Sequence, residues 1–473
     1  MTMDNFRLLI DGTLVDGASG LPVVNPATGL PFANAARADA VQLDQAVSAA
    51  RRAFPSWSAL GWSERRAMLE TLADAMESRL HDFARLLTLE QGKPLDQATF
   101  ETGGSIAALR YFASLQLHDR ILRETGEERI VEFRSPLGVV AAITPWNFPI
   151  MLLMLKLAPA LIAGNVVIAK PAPTTPLTTL LLGEVAAPIL PGGVFQTIVD
   201  ANDLGPLLTA HSGIAHVSFT GSTATGKKVL ASTADTLKRS TLELGGNDAA
   251  LVLEDADTAT VAPAIFQAAM VNSGQVCLAA KRVYTPSSKY DALCDALAAL
   301  ADRALVGDGL EQGTQIGPIQ NRLQFEKLLG YLADAHDSGR VIAGGHALER
   351  DGFFIAPTVV RDIPDDAKLV AEEQFGPVIP VLSYDSLDDA IARINASEYG
   401  LGGTVWTSDP AAGEAVARRI ESGTVWVNRH LSLPFDIPFG GAKQSGIGRQ
   451  QGIEGLEEFT QARVVNVNLA PLG

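Results

Sequence analysis

Along most of the chain, amphipathic stretches at helical spacing alternate with short apolar runs, the pattern of an α/β protein with a largely parallel sheet. The clearest helix is predicted over 63–91, where Leu69, Leu72, Met76, Leu80, Phe83 and Leu87 recur before the stop signals Gly92 and Pro94. VVAAIT (139–144), NVVIAK (165–170), HVSFTG (216–221), AALVLE (249–254), GGTVWT (402–407) and GTVWVN (423–428) read as strands, most of them followed by a helix-like run. The longest apolar stretch, IMLLMLKLAPALIAGNVVIA, is interrupted by Lys156, Pro159, Gly164 and Asn165 and reads as buried helix then buried strand, not as a membrane span. Two segments break the alternation. RILRETGEERIVEFR (120–134) has a Gly-centred turn between extended runs, and RVVNVNLAP (463–471) alternates apolar and polar. Pattern alone supports edge strands seeking a sheet and a solvated hairpin with a frayed tail about equally.

Composition narrows the class. With 473 residues, 47% of them hydrophobic, the chain can bury a large core and divides into two or three domains. A net charge of −16 without a compensating Lys/Arg cluster repels phosphate backbones and anionic lipid, so neither nucleic acid nor a membrane surface is an expected partner. Two cysteines cannot build a disulfide framework, and Asp4, Arg7 and Asp11 stand where a secretory segment needs an apolar run. The expected setting is cytoplasmic, and no metal site is expected.

Cysteine scarcity makes NSGQVC (272–277) conspicuous. A lone cysteine is usually a buried, inert thiol. Cys294, in DALCDALAALADRAL, fits that description; Cys277 follows a Ser273-Gly274 pair that breaks a helical run and presents it at the end of an element. Together with ITPWNFP (143–149), FTGSTATG (219–226), LELGGND (242–248), EEQFGPV (372–378), GTVWVN and PFGGAKQSGIGR (438–449), this stretch resembles the aldehyde dehydrogenase superfamily, in that family's order and over essentially the whole chain.

The resemblance implies an α/β fold with a Rossmann-type cofactor domain, an α/β catalytic domain and a small bridging sheet. Residues 1–118 and 138–245 would form the first, 246–445 the second, and 119–137 with 446–473 the bridging segments of a homodimer or homotetramer. It implies Cys277 as nucleophile, Asn147 as oxyanion donor with the Cys277 N–H, Glu243 as general base, and Lys156 as a further catalytic residue. A thiolate adds to an aldehyde, the oxyanion needs preorganised donors, and hydrolysis of the resulting thioester needs a base. Asn147 could instead cap the helix that follows it. NAD or NADP would be held by Thr144, Pro145, Trp146, Lys170, Gly221, Ser222, Glu373 and Phe375, with the strand–Gly–helix junction of FTGSTATG offering helix N-terminal amides to the pyrophosphate.

Two positions depart from the family. Pro173 replaces a common glutamate that binds the adenosine ribose and repels a 2′-phosphate, so use of both NAD and NADP is expected. Gln450 replaces a glutamate on the proton path. The tunnel to Cys277 would be lined by Phe148, Leu152, Leu155, Val271, Val276, Leu278 and the loop from Arg429 to Phe435. Aliphatic residues at 155 and 271, where relatives acting on small aldehydes carry rings, suggest a bulky apolar aldehyde, aromatic or medium-chain. Arg429 and His430 are the counter-indication: a cation at the mouth would bind the carboxylate of a semialdehyde, although a solvated loop position is the more usual fate of an Arg. The rival from another class is a cysteine-dependent hydrolase or acyltransferase without a redox step, which requires a histidine base; neither His216 nor His430 lies in a recognisable pairing.

Overall fold

The protein is described by a computed structural model covering residues 6–470. Asp4 and Pro471, which figure in the sequence reading, lie outside the described residues. One sheet has the order Gly446–Ile447, Arg239–Glu243, His216–Thr220, Val139–Ile143, Val166–Lys170, Phe195–Thr197. Its strands are parallel except Gly446–Ile447, which joins antiparallel to Arg239–Glu243. The strands Val139–Ile143, Val166–Lys170 and His216–Thr220 are buried along their whole length, which is why they read as continuous apolar runs. The long apolar stretch resolves into the helix Pro149–Ile162 and the strand Val166–Lys170. No helix among the described residues is long and apolar enough to cross a membrane.

A second sheet runs Arg340–Ala343, Thr358–Arg361, Val378–Tyr384, Arg282–Pro286, Ala249–Val252, Gly402–Trp406, Thr424–Val427. Neighbouring residues along it face opposite sides. Leu251, Tyr284, Val360 and Leu382 enter one apolar cluster, whereas Val252, Val283, Val359 and Val381 enter another. A larger core joins the first sheet to the helices of the first half of the chain.

The two anomalous segments find each other. Thr460–Asn468 pairs antiparallel with Glu128–Pro136, which pairs with Arg120–Glu124. This small sheet leaves Ile121, Leu122, Val464, Val465 and Val467 exposed.

One expectation fails. The helix predicted over 63–91 is two helices, Trp62–Ser78 and Leu80–Gln91, separated by Arg79 at φ −115°, ψ 18°. The apolar spacing runs through the break unchanged. At the break Arg79 pairs with Asp82 at 3.1 Å and with Glu184 at 2.8 Å.

Candidate active site

The helix Thr258–Met270 ends in three successive left-handed residues, Asn272 (φ 50°), Ser273 (φ 57°) and Gly274 (φ 70°). A Cβ on Gly274 would lie 2.2 Å from the Gly376 carbonyl oxygen, so only glycine fits there. The reversal delivers Cys277, a free and partly exposed thiol, into a small apolar cluster with Val276, Leu278, Leu401, Trp426 and Phe439. Burial pushes its thiol up to about 12; Lys281 draws it down, and the carboxylates of Glu373, Asp248 and Glu243 push it further up. The resting thiol is therefore protonated near neutral pH. Cys294, fully buried beside Leu293 and Leu297, is core.

Asn147 does not cap the following helix; Phe148 holds that position. The Asn147 side-chain Nδ2 donates to the Gln275 carbonyl at 2.9 Å, while its own carbonyl accepts from Asn272 Nδ2 at 3.0 Å and from Lys93 Nζ at 2.8 Å. Lys93 is itself fully buried, 2.5 Å from Glu101 and 3.7 Å from the Phe148 ring centroid. Nothing in the sequence distinguished this ion pair from two solvated charges.

Glu243 ends the strand Arg239–Glu243 with 3% exposure and no protein partner on either carboxylate oxygen. Burial pushes its carboxyl up to about 8, against the pull of Lys156 and Arg449. Lys156, fully buried, donates to Thr220 Oγ1 at 2.7 Å, and Thr220 is the register partner of Glu243 on the neighbouring strand. Burial lowers the Lys156 amine to about 7, with Glu243 holding it up. Each of the two groups feels the other's charge, but they form no direct ion pair.

The residues expected to hold the dinucleotide sit at the carboxyl ends of the parallel strands, where such sheets bind ligands. Thr144, Pro145 and Trp146 follow Val139–Ile143, Lys170 ends Val166–Lys170, and Gly221 and Ser222 follow His216–Thr220. Ser222 caps the helix Thr223–Thr233, accepting from the Thr225 N–H at 3.3 Å, and the Thr144 hydroxyl is buried without a protein partner. Trp146 meets Phe375 edge to face at 5.3 Å, bridging the two halves of the expected site. Glu373 accepts from the Gly246 N–H at 3.0 Å and lies 3.7 Å from Lys281 Nζ. The set fits a dinucleotide: helix N-terminal amides suit a pyrophosphate, and a half-buried carboxylate suits a ribose. Asp200, which no motif marks, is fully buried and 2.6 Å from Lys170 Nζ.

Residues 14–465 match the Aldehyde dehydrogenase family. The chain belongs to that family. As an aldehyde dehydrogenase it is 39% identical to aldehyde dehydrogenase LUC3 of Fusarium sp., over 98% of this chain and 99% of the relative. It is 36% identical to geranial dehydrogenase of Castellaniella defragrans, over 98% and 99%. Among solved structures, betaine aldehyde dehydrogenase from Staphylococcus aureus in complex with NAD+ matches with a TM-score of 0.96 at 31% identity, covering 98% of this chain and 95% of that one. An E. coli NADP dependent enzyme matches at 0.95 and 34%, covering 98% of each. The fold class stands on these matches.

The residues expected to line this dehydrogenase's tunnel divide. Phe148, Val271, Val276 and Leu278 gather with Cys277 in one apolar cluster, joined by Leu431 and Leu433. Leu152 and Phe435 are partly buried against the larger core, and Leu155 is inside it. His430 is not a cation at the tunnel mouth. Its Nε2–H donates to the Leu278 carbonyl at 2.6 Å, its Nδ1 faces the Thr404 hydroxyl, and its ring packs on Trp426 at 5.0 Å; burial pushes it down to about 4, which keeps it neutral. Arg429 is exposed and makes no ion pair among the described residues. His216, the other histidine weighed as a base, is buried near Thr241 and Phe459, and burial lowers it to about 3.

Proposed function

We propose that this aldehyde dehydrogenase oxidises a bulky apolar aldehyde to the free acid through a covalent adduct on Cys277. Glu243 or Lys156 removes the thiol proton, and the thiolate adds to the carbonyl carbon. The Asn147 amide and the Cys277 N–H receive the oxyanion. NAD or NADP, when bound, accepts the hydride that converts the thiohemiacetal to a thioester. Glu243 then takes a proton from the attacking water, and the acid leaves. A base at this position favours hydrolysis over transfer to a thiol acceptor such as coenzyme A.

The observation that carries the substrate class is the apolar cluster around Cys277 combined with a neutral, locked His430. Each substrate methylene buried against it contributes about 0.8 kcal/mol, nearly fourfold in binding. Hexanal and benzaldehyde are expected to exceed acetaldehyde and succinic semialdehyde in kcat/KM by tenfold or more, on the order of two methylenes. The apolar reading is withdrawn if succinic semialdehyde leads the panel and Arg429→Ala selectively raises its KM.

Asp200 bears on the choice between the two cofactors. The charge of Lys170, one of the residues expected to hold the cofactor, is met by a buried carboxylate and is not free for a 2′-phosphate, so the reading here is a preference for NAD. In calorimetric titrations Asp200→Asn, which keeps an oxygen for the Leu204 N–H, is expected to improve NADP affinity relative to NAD by about fivefold, ~1 kcal/mol for one screened charge. An unchanged ratio of the two dissociation constants removes Asp200 from the discrimination.

The exposed apolar residues of the small antiparallel sheet are the proposed contact of a homodimer or homotetramer. A monomer by light scattering at micromolar concentration rules this out.

A further inference from the structure

Lys281, four residues beyond Cys277, is a buried amine that the mechanism above does not use. It is 2% exposed, and its Nζ donates to the carbonyl oxygens of Val276 at 2.8 Å and Cys277 at 2.5 Å, with Glu373 Oε1 at 3.7 Å. Its backbone is fixed at the start of the strand Arg282–Pro286: its N–H donates to the Asp248 carbonyl, and its own carbonyl accepts from Gln374 Nε2 at 3.2 Å. We propose that Lys281 is the positioning residue of the nucleophile, clamping the Val276–Cys277 peptide from its carbonyl side and supplying the cation that favours the Cys277 thiolate. This rests on the reading of Cys277 as nucleophile.

Two physical consequences follow from that placement. The peptide joining Val276 to Cys277 is planar and trans, so its C=O and N–H point in opposite directions. A cation held on the oxygen polarises the whole amide, fixes the plane, and makes the Cys277 N–H a stronger donor on the far side. That N–H is the expected partner of Asn147 in receiving the oxyanion. The second consequence is electrostatic. The charged and titratable groups facing Cys277 are Lys281 and the carboxylates of Glu373, Asp248 and Glu243. Lys281 alone among them favours the anion, in a pocket where burial disfavours it strongly. A neutral donor could satisfy the two carbonyls equally well; the charge is what the thiol needs.

Alkylation of Cys277 by iodoacetamide tests this without aldehyde or cofactor. The protein carries Cys294→Ala, and the rate is followed by intact mass from pH 6 to 10. Removing the cation raises the thiol's pKa. Each unit cuts the thiolate fraction tenfold; the greater intrinsic nucleophilicity of the more basic thiolate recovers part of this, leaving a net fall of about threefold per unit. Lys281→Met is expected to alkylate at least about threefold more slowly at each pH below its plateau, with Lys281→Arg restoring most of the rate. Glu373→Gln removes a carboxylate from the same cluster and is expected to alkylate faster, which keeps the test open if Lys281→Met does not fold. A purely structural Lys281 gives the opposite picture: the loosened loop of Lys281→Met alkylates as fast as the parent or faster at every pH, and Glu373→Gln leaves the rate unchanged. Either result overturns the proposal. Failure here is separate from failure of the catalytic reading, because a dispensable Cys277 shows itself in turnover and not in alkylation.

Discussion

The Cys277→Ala variant is expected to lose aldehyde oxidation, to below about one part in a thousand of the parent rate, while binding NAD with unchanged affinity. The expectation follows from where the sulfur sits and what surrounds it. Cys277, the proposed nucleophile, sits just past a left-handed reversal, in an apolar cluster with Phe148 and Val276, which are expected to line the tunnel. The groups expected to hold the dinucleotide are on other elements, at the ends of Val139–Ile143, Val166–Lys170 and His216–Thr220. Removing the thiol deletes the covalent step and leaves the crevice as it was. Production of reduced cofactor, followed by its near-ultraviolet absorbance, measures the first; calorimetric titration with NAD measures the second. Cys294→Ala, in the core, should remain active. Substantial turnover by Cys277→Ala would reassign the nucleophile.

How far the sequence could carry this depended on whether the signal was local. Buried strands such as VVAAIT and HVSFT announce themselves because both faces are covered and most of their residues are apolar or small. The reversal before Cys277 was legible because Ser-Gly interrupts a helical run. The split at Arg79 was not, because apolar spacing continues across it and no glycine or proline marks it. The charges that support the candidate site share this property. Lys93, Glu101, Asp200 and Lys281 each look like ordinary surface residues along the chain, and only tertiary packing removes them from water. His430 shows the converse: it looked like a cation, and the Leu278 carbonyl with the Thr404 hydroxyl locks it neutral. Motifs could point to the groups that react. They could not reveal the groups that orient those, since a side chain acting through a backbone carbonyl needs no pattern around it.

The Glu243→Gln variant is expected to separate the two halves of the reaction. Glu243 is nearly fully buried, with neither carboxylate oxygen paired by protein, and burial holds it up to about 8. A carboxyl in that condition is a base only once deprotonated. The sign follows directly: below about pH 8 the group is largely protonated and cannot take a proton from water, so thioester hydrolysis should rise with pH through about 8 and level off above it. Lys156, lowered to about 7 by the same burial, is a second group able to titrate near neutral pH, whereas Gln450, its Nε2 buried without a partner, cannot titrate. Glutamine at 243 fills the same volume and accepts no proton. Addition of the thiol and loss of hydride should persist with Lys156 as the remaining base, giving one burst of reduced cofactor per active site. Steady turnover should then fall by about a hundredfold to ten-thousandfold. The acyl group should accumulate on Cys277 during the slow phase, visible as an added mass on the intact protein, and the rise through pH 8 should vanish from the steady rate. If instead the burst itself is lost and no acyl adduct appears, Glu243 acts before hydride transfer, as the base that makes the thiolate, and hydrolysis has another agent.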